Sequence, residues 1–289
     1  MIVLTSASGS PGVTTAALGL AFSWPRPVLL VEADPTGGSG IFAGYFQGRV
    51  EPSAGLIDLA LAYRQGTLAE TLPQVVRAWP PSTMTLLPGI RSHEQARSLI
   101  SLWEPLTAVL RDLRRNGQDV IVDAGRLGLA GWPAPLVMGA DLTLLTSRNT
   151  LPALAGARSW ATSLRSSFEN AGGATRFGVL LVDEAGRWPK LPSAKGGMGG
   201  PRIRTYTDRQ VTKTLQLPVI ASLPWAPEGA DTYSHGARPP RKWQTSPLAR
   251  GYQAAGGAVR ARLEANADGL AVSGAATGTP TRTDGGDRW

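Results

Sequence analysis

The stretch SASGSPGVTTAALGLAFSW, beginning at Ser6, sets Gly9, Gly12, Thr14 and Thr15 between a short apolar run and a helix-forming segment. Glycines so placed let backbone N–H groups curl around a phosphate, a following helix aims its N-terminus at it, and a threonine hydroxyl can reach a magnesium ion. Against the pattern G-x-x-x-x-G-K-[ST], Gly12 and Thr14 match, while Ala7 takes the first glycine and Val13 the lysine. Gly9, Ser10, Pro11, Gly12, Val13, Thr14 and Thr15 would therefore hold a phosphate without the usual charge. The competing reading is a Gly/Pro turn that joins the first strand to the first helix.

Two further segments carry carboxylates. VEADPTGGSG contains Glu32 and Asp34, and VDAGRLG contains Asp123. Both follow apolar strands, at the edge where ligands of open parallel sheets bind. As plain structure, Asp34 is a turn residue before Pro35 and Asp123 a strand-end cap. His93 and His235 are too isolated to form a metal site.

These residues need a scaffold, and the apolar runs supply it. MIVLT, PVLLVEAD, MTLLPG, DVIVDAG, ADLTLLTS, FGVLLVD and PVIASLP are continuous rather than alternating, as in strands covered on both faces. AGLIDLALAYRQG, LAETLPQVVRAW, SLISLWEPLTAVLRDLRRNG, TLPALAGARSWATSLRSSFENAGG and PLARGYQAAGGAVRARLEA read as helices between or after them, with Gly117, Gly172 and Gly173 as stops. The expected fold is α/β, a doubly wound, mostly parallel sheet of the P-loop NTPase type. One domain should span residues 1–265, with a Gly/Pro/Lys-rich loop at 186–204 and a disordered tail at 266–289.

Composition narrows the function. The chain has 289 residues, 42% of them hydrophobic, enough for one sizeable core. It has no cysteine, which excludes disulfides, thiolate zinc sites, cysteine-held iron–sulfur clusters and a cysteine nucleophile. With neither a signal-like N-terminus nor a long apolar segment, a cytoplasmic protein without a transmembrane span is expected. The formal charge of +8, from 29 Lys plus Arg against 21 Asp plus Glu, favours anionic partners. Arg250, Arg260 and Arg262 are the candidates for contacts with nucleic acid; the plainer reading is a solvated surface.

From residue 1 to about 265 the chain resembles the ParA/MinD family of deviant Walker-A ATPases, which position plasmids, chromosomes, division sites and other cargo. GSPGVTTAALGLA stands where the family has K-G-G-x-G-K-T-T, and VLLVEADPTGG where it has an L-L-I-D-x-D-P-Q-G-N type segment. GLIDLAL, LLPG, DVIVDAG, ADLTLLTSRNTLPALAGA and LQLPVIASLPWAPEGADTYSHGARP follow in the family's order. The resemblance implies ATP or ADP with Mg2+ as cofactor. Gly9, Gly12, Thr14 and Thr15 would face phosphates, Thr14 would ligate magnesium, and Asp123 would hold that ion through water. Asp34 would orient water or metal beside the γ-phosphate in an active enzyme, with Glu32 in place of a more usual Asp. The base pocket falls on residues 182–184 and 224–228, where Asp183 replaces an Asn and leaves the base preference open.

Two departures matter. The signature lysine falls on Ser8 and the P-loop lysine on Val13. Each missing contact is worth about 1.5–3 kcal/mol, and phosphoryl transfer depends on such charge. A substitute cation could come from Arg126, favoured by its position three residues after Asp123, or from Arg148 or Lys195. The leading expectation is a weak or non-hydrolysing pseudo-ATPase, a dimeric adaptor or scaffold for an unidentified partner or cargo. Its alternatives are a dimerising switch that binds DNA and hydrolyses ATP slowly, and a mainly non-specific DNA-binding assembly protein with a vestigial loop. Amide-forming synthetases of this fold class rank lower, because no substrate-specific motif is visible.

Overall fold

The computed structural model describes residues 1–80, 82–185 and 204–276, with side chains of the last helix described to residue 268. In chain order the elements are β1 (Ile2–Ser6), α1 (Val13–Ser23), β2 (Val28–Glu32), α2 (Leu56–Arg64), α3 (Leu68–Val75), β3 (Arg77–Ala78), β4 (Met84–Leu87) and α4 (Trp103–Asp112). There follow β5 (Asp119–Arg126), α5 (Ala134–Gly139), β6 (Leu142–Arg148), α6 (Leu151–Asn170), β7 (Phe177–Asp183), α7 (Asp208–Leu215), β8 (Val219–Pro224), α8 (Pro227–Ser234) and α9 (Pro247–Ala276). The strands form one sheet in the order β3-β4-β2-β5-β1-β6-β7-β8. Every pairing is parallel except β3 with β4.

Alternate residues of a strand point to opposite faces, and β1 shows the result. Ile2 and Leu4 join α1, α9 and a π-helical turn at Ile41–Tyr45 in one core, whereas Val3 joins α2 to α5 in another. A third core packs α6 and α7 against β6 and β7. Because both faces are covered, the central strands are apolar over most of their length, as the sequence reading expected.

The structure corrects that reading at two places. The segment read as one helix through Trp79 stops at Val75, and Arg77–Ala78 turns back as a two-residue strand beside β4; Val76 is already extended, with φ −74° and ψ 135°. The last helix does not end near residue 265 but continues to Ala276. Residues 186–203 of the expected loop, Lys195 among them, and 277–289 of the expected tail lie outside the described residues. Gly117, Gly172 and Gly173 do follow helical segments, Gly117 and Gly172 with φ of +75° and +67°.

Candidate phosphate-binding site

The loop after β1 crosses the C-terminal edge of the sheet, where β1 lies between β5 and β6. Gly9 and Gly12 have φ of +74° and +95°, values that glycine adopts without strain. Ser10 between them has φ +42° and adopts a left-handed conformation that costs a non-glycine residue free energy. Gly12 is the N-cap of α1 and its carbonyl accepts from Ala16 N–H at 2.8 Å. Four expected loop residues, Pro11, Gly12, Thr15 and Ser10, also line a cavity of about 240 Å³.

The two lysine positions are occupied differently. Val13 is buried in the core beneath α1, 7% exposed. Ser8 packs on α6, where a Cβ at Gly156 would collide with its hydroxyl. No cation replaces either lysine from within the loop.

Beneath the loop stand three carboxylates. Glu32 and Asp123 are register partners on β2 and β5. Asp123 Oδ1 accepts from Gly125 N–H at 3.0 Å, whereas its buried Oδ2 has no hydrogen-bond partner. Complete burial pushes the Asp123 carboxyl up to about 7; the Thr14 hydroxyl opposes that shift, and the charges of Asp34 and Glu32 reinforce it. Burial raises Glu32 too, although the Ser39 hydroxyl (2.6 Å) and Gly89 N–H (3.2 Å) donate to it. Asp34 lies against Gly125, which has φ +59°, so closely that a Cβ there would collide with its carboxylate. Its Oδ1 accepts from Thr36 N–H and hydroxyl at 2.9 and 2.8 Å, so Asp34 is also the turn residue of the plainer reading.

These residues fit a hydrated magnesium ion. Asp123 supplies a buried oxygen with no partner, Thr14 lies beside it, and the neighbouring carboxylates repel one another until a cation arrives. Among the described residues, no group of three or more His, Asp or Glu side chains is arranged to hold a metal directly. An ion held through water by Asp123 and by the Thr14 hydroxyl needs no such group.

The raised carboxyl has a consequence for stability. The folded state favours the neutral form, so this contribution is complete below the unfolded value of about 3.9 and is lost as pH rises through about 7. Asp123→Asn keeps an acceptor for Gly125 and cannot ionise. In metal-free buffer its melting point should exceed the wild type's above pH 7, with the gap closing toward pH 4. Thermal melts across that range check this, and a gap independent of pH would contradict it.

The structure also separates the candidate cations and places residues that the sequence did not point to. Arg148, at the end of β6, donates from Nη2 to the Ser10 carbonyl at 3.0 Å and lies 4.9 Å from the centre of the Trp225 ring. Arg126, the candidate favoured by sequence position, is exposed at the end of β5, opposite Ser6. Asn149 is 2% exposed; its amide N–H groups donate to Asp183 at 2.5 Å and the Tyr206 carbonyl at 3.1 Å, and its Oδ1 accepts from Glu184 N–H at 2.9 Å. It thereby fixes the end of β7 that the resemblance assigned to base recognition. From α9, Tyr252 donates to the Thr15 carbonyl at 3.2 Å and lines the cavity with Val182, Pro224 and Trp225. A buried Asn at a strand end and a tyrosine on the last helix carry no local pattern, so only the fold reveals them, whereas Trp225 falls within the expected base pocket at 224–228.

The arginine candidates do not form a stripe. Arg250 is exposed, but Arg262 Nε donates to the Thr175 carbonyl at 3.1 Å and Arg260 Nε is buried. Residues two apart in a helix do not share a face, so Arg260 and Arg262 diverge. His93 and His235 are exposed and lie on different segments, and His235 Nδ1 lies 3.0 Å from Asp231. Among the described residues, no helix is long and apolar enough to cross a membrane.

No protein-family model and no curated protein matches the sequence. Solved structures do match in fold. The cell division ATPase MinD of Pyrococcus furiosus is 17% identical, with a TM-score of 0.66, covering 90% of this chain and 98% of that one. MinD of Pyrococcus horikoshii, complexed with Mg-ADP, is 18% identical, with a TM-score of 0.62 and coverage of 93% and 96%. An ATP complex of a McdA variant from Cyanothece is 19% identical, with a TM-score of 0.62 and coverage of 89% and 95%. Together with the sheet order and the left-handed loop that opens α1, these likenesses establish that the chain has the MinD/ParA P-loop fold.

Proposed function

We propose that this protein is a ParA/MinD-like organiser of cellular position whose nucleotide site holds Mg-ADP or Mg-ATP weakly and turns over slowly or not at all, so that it works as a dimeric adaptor or scaffold. The observation that carries the reading is the unpartnered Asp123 Oδ2 beneath a left-handed phosphate loop whose lysine position is a buried valine. The metal side of the site has kept its residues, while the two loop lysines whose charge would stabilise a transferring phosphoryl group are absent. Mg-ADP and ATP in the structures of similar fold support the choice of ligand. Backbone donors and the N-terminus of α1 would hold a diphosphate in the high micromolar range or more weakly.

Calorimetry with ADP and ATP, with and without magnesium, and a phosphate-release assay test this. Weak, magnesium-dependent binding with release near background is expected. Turnover like that of an ordinary partition ATPase, abolished by Asp34→Ala, would instead establish the active switch. Ser8→Lys should shift the protein toward an ATP-dependent dimer in light scattering, because the resembled family reaches across its dimer from that position. The hydroxyl's contact with α6 means that the longer side chain must leave along the loop surface.

A second reading rests on the charge of +8 and exposed Arg250. If the protein binds DNA, affinity should fall steeply with salt and show little sequence preference. Changing Arg250, Arg260 and Arg262 together to alanine should weaken it; with Arg262 tied to Thr175, most of the loss should come from Arg250. Absence of binding at low salt leaves the arginines as a solvated surface and favours a protein or membrane partner.

A further inference from the structure

We propose that Arg148 is the resident cation of the phosphate loop, supplying from the end of β6 the positive charge that Ser8 and Val13 do not. The inference rests on the nucleotide reading above. The guanidinium holds the carbonyl of Ser10, the strained residue between the two loop glycines, and lines the same cavity as Ser10, Gly12 and Thr15. A phosphate cradled by the loop therefore enters the field of this side chain.

Three contacts fix its place. Besides the Ser10 carbonyl, Arg148 stacks on Trp225, and its Nε lies 3.4 Å from Glu184 Oε1. A planar guanidinium can stack on an aromatic face and still present N–H donors around its edge. One is spent on the loop carbonyl and Nε faces Glu184; the remaining N–H groups can turn to phosphate oxygens, which compete with a single carboxylate for the guanidinium. A lysine at this position would keep the charge but lose the stacking face, because its ammonium is a point charge. Strand β6 is thus the structural source of the charge. In the sequence, Arg148 is one of three candidate cations, and Arg126 has the more suggestive spacing.

The test separates charge from scaffolding. Wild type, Arg148→Gln and Arg148→Lys are titrated with Mg-ADP by calorimetry and with adenosine by ligand-observed NMR, with circular dichroism confirming the fold of each. Arg148→Gln is expected to weaken ADP about tenfold or more and to leave adenosine unchanged, since adenosine has no phosphate. Arg148→Lys should retain ADP within a few-fold of wild type, which keeps the proposal testable if the glutamine variant misfolds. Val13→Lys in the Arg148→Gln background should restore ADP binding. Equal ADP affinity in wild type and Arg148→Gln overturns the proposal alone. Equal losses for ADP and adenosine also overturn it, by making Arg148 a prop for the loop. If the wild type binds neither ADP nor adenosine, the nucleotide reading falls and this inference with it.

Discussion

Val13→Lys is expected to lower the melting temperature without nucleotide and to tighten Mg-ADP binding about 10- to 100-fold. Both effects follow from where Val13 sits. Its side chain is packed in the core beneath α1 with Ala16, Ala17 and Leu18, so a lysine there must bury its stem and, without a ligand, leave its ammonium partly desolvated. A diphosphate would give that charge a partner. Differential scanning fluorimetry at several ADP concentrations should show a low starting melting point that climbs more steeply than the wild type's, as mass action requires for a tighter ligand. An unchanged dissociation constant would mean that Pro11 and Ser10 hold the loop in a shape that excludes phosphate, and that the loop is a turn and nothing more.

The second large effect concerns the packing of α9 on α1. Gly19 lies against the ring of Tyr252, and a Cβ at Gly19 would collide with that ring. The ring is hemmed in by Tyr233, 5.6 Å away edge-on, and its hydroxyl is tied to Thr15. Gly19→Ala should therefore push the two helices apart and destabilise the protein by about 3 kcal/mol, at the upper end of ordinary overpacking. The gain in helix propensity from glycine to alanine, about 1 kcal/mol, is too small to reverse the sign. Combining it with Tyr252→Ala should cost less than the two single losses added, because each change relieves the other's defect. Urea denaturation of the four proteins measures this, and simple additivity would show that the contact is not tight. Because Tyr252 also lines the cavity, the same variants should weaken ADP.

Much of the fold was legible because the strands are buried on both faces. VLLVE and DVIVDAG are apolar at consecutive positions, a pattern that parallel sheets produce and exposed ones do not. The carboxylates could be read because Asp34 comes just after such a strand and Asp123 lies within one, toward its C-terminal end. Elsewhere the sequence misled for physical reasons. VVRAW has helix-compatible residues, yet pairing with Thr85 and Leu86 turns Arg77–Ala78 into a strand, an outcome that local propensity does not encode. Arg126 owed its candidacy to closeness along the chain, whereas Arg148 is brought to Ser10 across 138 positions by the pairing of β1 with β6. The three arginines of α9 seem a cluster in one dimension and diverge around the helix in three.

The sheet's two edges bear on how copies of this protein can assemble. At one edge β3 is only two residues long, begins with Arg77 and is followed by Pro80, so it offers few open N–H groups to another chain. At the other, β8 ends on Pro224 and is preceded by Pro218, which lack N–H donors. Short, charged and proline-bounded edges discourage strand-to-strand joining and the aggregation that follows from it. Any association of copies is thereby steered away from growth of a continuous sheet and toward contacts made by helices and loops, the loop-bearing rim included.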